Sequence, residues 1–219
     1  MSPGVDFAAD RARALDLTPV SRETLARLDR FTRLLLQWQK TTNLIGAATI
    51  PHLWTRHIAD SLQLLALAPS ARVWLDLGSG GGFPGLVIAC ALAGERGATV
   101  HLIESNAKKA AFLREAVREL DLRAVVHGER IEHFSLPMGA HVDVITARAV
   151  APLSVLFGYV ALLLKTGAQA LLLKGQDVEA ELTEAAKYWT IKADLIPSKT
   201  SPEGRIVVLR GLSRRGAKK

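Results

Sequence analysis

Four glycines lie within five residues of one another in the segment from Asp76 to Gly85, which reads DLGSGGGFPG. Glycine tolerates positive φ angles and lets the backbone approach a ligand closely, so such a turn can surround a small molecule. Pro84 suits the first turn of a helix, where free N–H groups favour an anionic group. Glu104 follows 22 residues after Gly82, and a carboxylate there can accept both hydroxyls of an adenosine ribose. The segment therefore predicts a site for a nucleotide-like ligand.

A glycine-rich turn with a distant acid does not by itself identify the ligand. Proteins that bind nicotinamide cofactors, flavins or S-adenosylmethionine (SAM) all use one. The strict dinucleotide pattern has glycine or alanine at the position that Phe83 occupies here, and an acid two residues before the first glycine, as at Asp76, is typical of methyltransferases. Methyl transfer is the favoured interpretation, and hydride transfer and a purely structural turn are the alternatives.

Strands and helices alternate from residue 73 onwards. Strands are predicted at residues 73–77, 100–104, 124–127, 142–146 and 168–174, and helices at residues 84–93 and 107–120. Such alternation predicts a mostly parallel sheet with helices on both sides. Open sheets of this kind bind ligands at the carboxyl ends of their strands, where the strand order reverses. The glycine turn, which follows the first strand, is expected to lie there.

The end of the chain has a different pattern. Residues 188–195 and 205–209 predict two strands joined by a turn-rich segment with no helix between them, which is most simply an antiparallel hairpin at the sheet edge. A plain dinucleotide fold would more often continue with another helical crossover. The predicted fold class is therefore α/β, a class I (Rossmann-like) SAM-dependent methyltransferase fold with a mostly parallel seven-stranded sheet.

The N-terminal part, residues 1–70, is predicted to form a helical cap on this sheet. Apolar residues recur there at steps of three and four, which marks one apolar helical face: Leu25, Leu28, Phe31, Leu34, Leu35 and Trp38. Thr18 followed by Pro19 predicts the N-terminus of this helix. A further helix is predicted over residues 53–67.

The chain has 219 residues, a formal charge of +7 and a pI of about 9.9. Its length suits one compact unit made of the cap, a core over residues 71–211 and a basic tail over residues 212–219. A basic surface gains affinity for nucleic acid by releasing counterions, although charge alone fits an ordinary basic protein equally well. The basic residues considered for RNA contact are Lys108, Lys109, Arg114, Arg214, Arg215, Lys218 and Lys219.

The expected compartment is the cytoplasm. The N-terminus has acids and arginines where a signal peptide needs an apolar stretch, and no apolar run is long enough to predict a membrane-spanning helix. The single cysteine, Cys90, excludes an internal disulfide. The six histidines show no paired spacing, so no metal site is expected.

Several short blocks carry a resemblance to one family. They are WQKTTNL at 38–44, HIADSL at 57–62, the glycine turn, Glu104-Ser105 with Lys108-Lys109, FLR at 112–114, RAVA at 148–151 and KGQ at 174–176. In this order and spacing, the chain resembles the bacterial 16S ribosomal RNA guanine-N7 methyltransferases, also called glucose-inhibited division protein B, over nearly its whole length. It departs from the family pattern at Gln39, Ile45 and Ala59, which concern the cap.

The resemblance implies SAM as the cofactor and 16S rRNA, or an assembly intermediate of the small subunit, as the partner of a monomeric enzyme. The residues that it implies for SAM binding are Gly78, Gly80, Phe83, Glu104, Ile131, Glu132 and Arg148. It also suggests that His57, Asp60 and Ser61 face the cofactor cleft, and a local capping or packing role is the alternative for these three.

Methyl transfer to guanine N7 requires no general base, because N7 already carries a lone pair. Catalysis then reduces to aligning nitrogen, methyl and sulfur, and orientation alone can supply about 7–11 kcal/mol. Arg148 and Arg130 are the catalytic candidates, as groups that hold the RNA or the carboxylate of the cofactor. An arginine bonded to N7 would block the reaction, so it should grip O6 or phosphate.

Three other functions remain open at this stage. The first is methyl transfer to another RNA, a protein or a small molecule, because the basic charge indicates only a polyanion. The second is an NAD-dependent oxidoreductase, against which Phe83 and the terminal hairpin argue. The third is a ribosome-binding module without activity, against which the intact Asp76, Gly78, Gly80 and Glu104 argue.

Overall fold

The computed structural model describes residues 7–136 and 141–216. Its centre is a seven-stranded sheet in the order β3-β2-β1-β4-β5-β7-β6. The strands are β1 (Val73–Leu77), β2 (Thr99–Ile103), β3 (Ala124–His127), β4 (Val144–Arg148), β5 (Gln169–Lys174), β6 (Trp189–Pro197) and β7 (Arg205–Arg214). The first five strands are parallel, and β7 is antiparallel to both β5 and β6. The predicted parallel sheet with an antiparallel C-terminal hairpin is confirmed.

The strand order reverses between β1 and β4. From β1 the chain moves outward through β2 and β3, and it then returns to pair β4 with the other side of β1. Because all of these strands are parallel, their carboxyl ends open a crevice at one edge of the sheet. The glycine turn follows β1, and Arg148 is the last residue of β4. Two distant parts of the predicted site therefore lie at this crevice.

Helices cover both faces of the sheet, as predicted. The α-helices are α1 (Phe7–Leu17), α2 (Arg22–Trp38), α3 (Asp60–Leu62), α4 (Gly85–Leu92), α5 (Ala107–Glu119), α6 (Leu153–Leu164) and α7 (Val178–Ala185). The cap, α4 and α5 pack on one face around Phe31, Trp74 and Phe112. Helices α6 and α7 pack on the other face around Phe157 and Trp189. Among residues 7–136 and 141–216, no helix combines the length and the apolar character that crossing a membrane needs.

The start of α2 differs from the prediction. Ser21, not Thr18, is its N-cap, and the Ser21 hydroxyl accepts a hydrogen bond from the backbone N–H of Thr24. The Thr18 hydroxyl instead donates to the carbonyl of Ala14, at the end of α1. The prediction from Thr18 and Pro19 was wrong because only four residues separate the end of α1 from the start of α2. Thr18 and Ser21 both lie there, and the hydroxyl group of either can bond to a helix terminus.

The second helix of the cap is present, but its hydrogen bonding is irregular. A 3-10 helix (Ala47–His52), a π-helix (Trp54–Ala59), α3 and a second 3-10 helix (Gln63–Leu67) follow one another. The backbone N–H groups of Trp54 and Thr55 donate to the buried carboxylate of Asp10, at 2.7 and 3.3 Å. These two donors are therefore used by a residue of α1, where the π-helix begins.

The terminal hairpin is longer than predicted. Strand β7 continues to Arg214, so residues 212–214 are strand rather than tail. Arg214 lies opposite Trp189 of β6, and its guanidinium lies 5.3 Å from the centre of the indole ring. Lys218 and Lys219, also predicted as part of the basic tail, lie outside the described residues.

Candidate active site

The glycine turn leaves β1 and leads into α4. Gly78, Gly80 and Gly82 have φ angles of 68°, 52° and 90°, which side chains with a Cβ rarely adopt. A Cβ on Gly78 would lie 2.7 Å from Val150, whereas a Cβ on Gly80 would meet nothing closer than the Gly78 carbonyl at 3.7 Å. The turn is therefore packed tightly at Gly78 and leaves room for a ligand at Gly80.

Asp76 supports this turn from behind. Its carboxylate is 1% exposed and accepts hydrogen bonds from the Gly85 N–H (3.1 Å) and the Thr146 hydroxyl (2.7 Å). These bonds join β1, β4 and the first residue of α4. Burial raises the pKa of Asp76 to about 6, because the charged form loses its water.

We expect the substitution Asp76→Asn to change how stability depends on pH. The folded protein has a pKa of about 6 at Asp76, above the ordinary value of 3.8. The folded state therefore binds this proton more tightly, and Asp76 makes the protein less stable as the pH rises from about 4 to about 6. Asparagine keeps an acceptor for the Gly85 N–H but does not titrate. The variant should therefore not show the loss of stability that Asp76 causes as the pH rises.

Urea unfolding of both proteins at about pH 4 and about pH 7 checks this expectation. Relative to the unsubstituted protein, the free energy of unfolding of the variant should rise by up to about 3 kcal/mol between the two pH values. Because only the change with pH is compared, a constant effect of the substitution cancels. An equal difference at both pH values would contradict the elevated pKa.

The carboxylate of Glu104 lies between two clefts at the crevice. Its Oε2 accepts a hydrogen bond from the Gly80 N–H (2.9 Å), and its Oε1 accepts one from the Asn106 N–H (2.7 Å). Each carboxylate oxygen keeps a further lone pair. Glu104 can therefore accept two hydroxyl groups of a ligand while it holds the glycine turn in place.

The first of these clefts, which we call the turn cleft, has a volume of about 370 Å³. It is lined by residues 44–46, His57, residues 78–81, Phe83, Glu104, Lys109 and residues 148–150. The second, the edge cleft, has a volume of about 260 Å³ and is lined by Gly78, residues 103–105, residues 129–132, Val150, Ala151 and Tyr159. The two clefts share Gly78, Glu104 and Val150, so one elongated ligand can occupy both.

The side chain of Gln39 in the cap holds Leu44 and Ile45, which line the turn cleft. Its Oε1 accepts hydrogen bonds from the backbone N–H groups of Leu44 (2.9 Å) and Ile45 (3.0 Å), and its Nε2 donates to the Ile45 carbonyl (2.9 Å). Gln39 thereby shapes the loop that lines the cleft opposite the glycine turn. A Cβ on Gly81 would lie 2.9 Å from the Leu44 carbonyl, so this loop and the turn are in close contact.

The edge cleft contains Ile131 and Glu132, two of the residues predicted to bind the cofactor. The Glu132 carboxylate accepts hydrogen bonds from the Tyr159 hydroxyl (2.8 Å) and from Arg130 (3.3 Å). Its pKa is lowered by a hydrogen bond from its own backbone N–H and then by the Tyr159 hydroxyl. The structure thus brings these two residues together with Glu104, as predicted from the sequence.

Arg148 closes the other end of the turn cleft and is only 18% exposed. Its Nη2 lies 2.8 Å from Nδ1 of His57, its Nη1 lies 3.6 Å from Oδ2 of Asp60, and its guanidinium lies 6.0 Å from the centre of the Phe83 ring. Burial and the charge of Arg148 lower the pKa of His57 to about 3. The imidazole is therefore neutral, with Nδ1 accepting from Arg148 and Nε2 donating to the Thr49 hydroxyl at 2.8 Å.

The three residues His57, Asp60 and Ser61 have different positions. His57 lines the turn cleft, as the resemblance suggested. Ser61 is buried and its hydroxyl donates to the His57 carbonyl at 2.6 Å, which is the local packing role. Asp60 lines a third cavity, which the sequence did not indicate.

This third cavity, which we call the hairpin pocket, has a volume of about 350 Å³. It is lined by Arg56, Asp60, Arg148, Ala149, residues 173–176, Glu181, Ser198, Ser201 and residues 203–205. It shares Arg148 and Ala149 with the turn cleft, so the two cavities adjoin. Lys174 belongs to the KGQ block that carries the family resemblance. Its partner Glu181 (2.7 Å) lies on α7, a helix that no sequence pattern predicted.

Arg130 and Arg148, the two catalytic candidates, do not lie together. Arg130 lines the edge cleft with a side chain that is 66% exposed, whereas Arg148 lies between the turn cleft and the hairpin pocket. The two arginines therefore face different parts of any bound ligand.

The chain matches the family model described as rRNA small subunit methyltransferase G over residues 24–212. Its relatives include proteins named ribosomal RNA small subunit methyltransferase G. The one from Nitrobacter hamburgensis is 61% identical over 208 residues, which cover 95% of this chain and 80% of the relative. The one from Bradyrhizobium sp. (strain BTAi1) is 59% identical over 208 residues, which cover 95% of this chain and 94% of the relative.

Solved structures of methyltransferases share the fold. An O-methyltransferase from Streptomyces achromogenes involved in tomaymycin synthesis, in complex with SAM, has a TM-score of 0.59 and 15% identity, covering 93% of this chain and 96% of its own. An O-methyltransferase from Bacillus cereus in complex with S-adenosylhomocysteine (SAH) has a TM-score of 0.57 and 17% identity, covering 92% and 96%. At this identity the likeness concerns the fold alone.

Proposed function

The chain belongs to the family of rRNA small subunit methyltransferase G, and we propose that it transfers the methyl group of SAM to N7 of a guanine in 16S ribosomal RNA. The observation that carries this proposal is the position of the Glu104 carboxylate. It lies between the turn cleft and the edge cleft, bonded to Gly80 of the glycine turn. An adenosyl group with an amino acid side chain has the elongated shape that these two adjoining clefts suit.

The residues that line the two clefts fit SAM by their chemistry. Glu104 would accept the ribose hydroxyls, and Ile131 and Glu132 would lie beside the adenine. Gly78, Gly80 and Phe83 would surround the methionine part, because Gly80 leaves open space in the turn. Arg148 supplies a positive charge at the far end of the turn cleft for the carboxylate of the cofactor or for the RNA.

Bound SAM supplies a methyl group on a positively charged sulfur. The lone pair of guanine N7 would take the methyl group as its bond to sulfur breaks and SAH leaves, so the protein has no proton to remove. The contribution of the protein is to hold the base and the cofactor in line and to exclude water, for which about 7–11 kcal/mol is available from orientation. The neutral His57 and the buried Arg148, bonded to each other, provide a rigid wall for this purpose.

We further propose that the target guanine is unpaired or distorted, since A-form RNA hides N7 in a deep, narrow groove. The formal charge of +7 supports binding to an assembly intermediate of the small subunit through its phosphates. Because the proposed substrate is ribosomal, we also propose that the enzyme acts in the cytoplasm, and that it acts there as a monomer.

Arg130 would act on bound SAM only indirectly, by holding Glu132. The variant Arg130→Ala should therefore weaken SAM binding without slowing methyl transfer. The arginine is 66% exposed and 3.3 Å from Glu132, and such exposed ion pairs contribute about 0.2–1 kcal/mol. We expect the Kd for SAM to rise by less than about fivefold and kcat to remain unchanged. Isothermal titration with SAM and turnover at saturating SAM check the two quantities. A large fall in kcat would instead place Arg130 on the RNA.

Mass spectrometric mapping of rRNA methylation tests the proposed function. Small subunits from cells that lack the protein should carry an unmethylated guanine, which the purified protein methylates at N7 when SAM is added. If the methyl group is found on another RNA or on a protein instead, the proposed substrate is wrong. Thermal stabilisation by NADH rather than by SAH would overturn the assignment of the cofactor.

A further inference from the structure

We propose that the hairpin pocket takes the target guanine and that Asp60 recognises this base by accepting a hydrogen bond from its N1–H. This inference rests on the proposed function and adds the residue that selects the base. It assigns a role to a cavity and to a carboxylate that SAM binding does not use.

The position of the hairpin pocket fits a base that comes from RNA. Enzymes that modify a base commonly take it out of its stack and into a pocket of their own. The hairpin pocket adjoins the turn cleft at Arg148 and Ala149, so a base inside it would lie beside the cavity proposed for the cofactor. Its volume of about 350 Å³ lies within the range of about 300–1,000 Å³ that small-molecule sites have.

Three charged groups of the pocket, those of Lys174, Glu181 and Arg205, are already used to build its walls. The Lys174 ammonium lies 2.7 Å from the Glu181 carboxylate and donates to the Ala151 carbonyl, and Glu181 also accepts from the Leu153 N–H at 2.7 Å. Arg205 donates to two carbonyl groups of its own turn. These groups hold the loop after β4 and the turn of the hairpin in place.

Asp60 is different, because only one of its two carboxylate oxygens accepts hydrogen bonds from the described residues. Its Oδ1 accepts hydrogen bonds from Thr200 (2.6 Å), Gln63 (2.9 Å) and Ser198 (3.3 Å). Its Oδ2 lies 3.6 Å from Nη1 of Arg148 and makes no hydrogen bond within residues 7–136 and 141–216. The side chain is 17% exposed, so Asp60 presents, beside the charge of Arg148, an oxygen whose hydrogen-bonding capacity the described residues leave unused.

A fixed carboxylate oxygen selects guanine over adenine. An ionised carboxylate only accepts hydrogen bonds. Guanine carries a hydrogen on N1, whereas adenine has a lone pair there, which the carboxylate repels. A site that must hydrogen-bond its substrate rejects analogues that leave its polar groups unpaired. N1 and N7 lie on opposite edges of the purine, so a bond at N1 leaves N7 free to react.

The test compares guanine with 2-aminopurine at the target position of reconstituted small subunits. 2-Aminopurine keeps N7 but has a lone pair at N1 and lacks O6. The unsubstituted protein should methylate the guanine substrate at least tenfold faster, measured as kcat/KM. Equal rates on the two substrates would overturn the proposal whatever the variants show.

The variant Asp60→Asn separates recognition of N1–H from a structural role. Its amide oxygen can accept from Thr200, and its NH2 group can donate to a lone pair at N1. We expect kcat/KM on guanine to fall by about 10- to 100-fold, the effect of losing a hydrogen bond to a charged group. The ratio of guanine to 2-aminopurine should fall by at least tenfold. If both substrates slow by the same factor, Asp60 only supports the pocket.

Two matched variants serve as controls. Glu203→Gln removes a more exposed carboxylate from the same pocket and should leave the ratio of the two substrates unchanged. Thr200→Ala removes one bond to the committed oxygen of Asp60 and should also leave the ratio unchanged. If Thr200→Ala lowers the ratio as Asp60→Asn does, the recognition proposal fails. If the unsubstituted protein methylates neither substrate, the proposed function fails instead.

Discussion

Replacing Glu104 by alanine should weaken the binding of SAM by about 10²- to 10⁴-fold. Two ribose hydroxyls would lose a charged acceptor, and each such hydrogen bond contributes about 1.5–3 kcal/mol. Together they amount to about 3–6 kcal/mol, and each 1.4 kcal/mol is about tenfold in Kd. Glu104 also accepts from the N–H groups of Gly80 and Asn106, so the glycine turn should become less well held at the same time. Isothermal titration with SAM measures the change.

The control for this variant is Glu129→Ala. Glu129 lines the same edge cleft, but its side chain is 40% exposed, and its carboxylate lies 4.0 Å from the imidazole of His127. Its removal should change the Kd for SAM by less than about threefold. A second variant, Glu104→Gln, keeps the size of the side chain but places an amide NH2 group near backbone donors. Its affinity for SAM should lie between those of Glu104→Ala and Glu129→Ala. Unchanged affinity in Glu104→Ala would mean that the adenosyl group binds elsewhere.

The sheet was predictable because its strands are short apolar runs with turns at both ends. The bounds predicted for β1 and β3 agree with the structure, and β2 differs by one residue. Strand β4 begins two residues later than predicted. The residue before it, Asp143, has a carboxylate that accepts hydrogen bonds from the N–H groups of Arg72 and Val73 at 2.7 and 2.8 Å. The local apolar pattern does not indicate such contacts with a distant segment.

The cap was predictable only as helical. Its apolar spacing indicates a helix, but the π-helix from Trp54 depends on a carboxylate of Asp10 that lies 44 residues earlier in the chain. No local pattern records that contact. The same segment carries His57 and Asp60, so the irregular part of the cap is also the part that reaches the active site.

The cofactor half of the site was predictable because its parts are local in sequence. The glycine turn and Glu104 each follow a strand directly, and parallel strands bring their carboxyl ends to one edge. The hairpin pocket was not predictable, because it joins segments that are far apart. Asp60 and Thr200, bonded at 2.6 Å, are 140 residues apart. Their contact depends on how the hairpin folds back onto the cap, which no spacing within either segment indicates.

Arg148 lies between the turn cleft and the hairpin pocket. The variant Arg148→Ala should reduce kcat/KM for methylation by at least about 100-fold. The variant loses a guanidinium that is bonded to His57 and paired with Asp60. The hydrogen bond of this charged group to His57 contributes about 1.5–3 kcal/mol, and the part-buried Asp60 carboxylate that loses its ion pair adds to the loss. We expect the variant to remain folded with a lower unfolding temperature, because Asp60 keeps its bonds to Thr200 and Gln63. Turnover on small subunits at saturating SAM measures the loss.

Two further measurements separate the role of Arg148 from a general disturbance of the fold. Arg148→Lys keeps the charge, but a single ammonium group cannot replace the fork that reaches both His57 and Asp60. Its activity should therefore stay close to that of the alanine variant. The charge of Arg148 lowers the pKa of His57, so in Arg148→Ala that pKa should rise from about 3, which NMR titration of the imidazole detects. The Arg148→Ala variant could show a raised His57 pKa and yet methylate at a near-normal rate. Arg148 would then influence the electrostatics of the cleft without positioning the reacting groups.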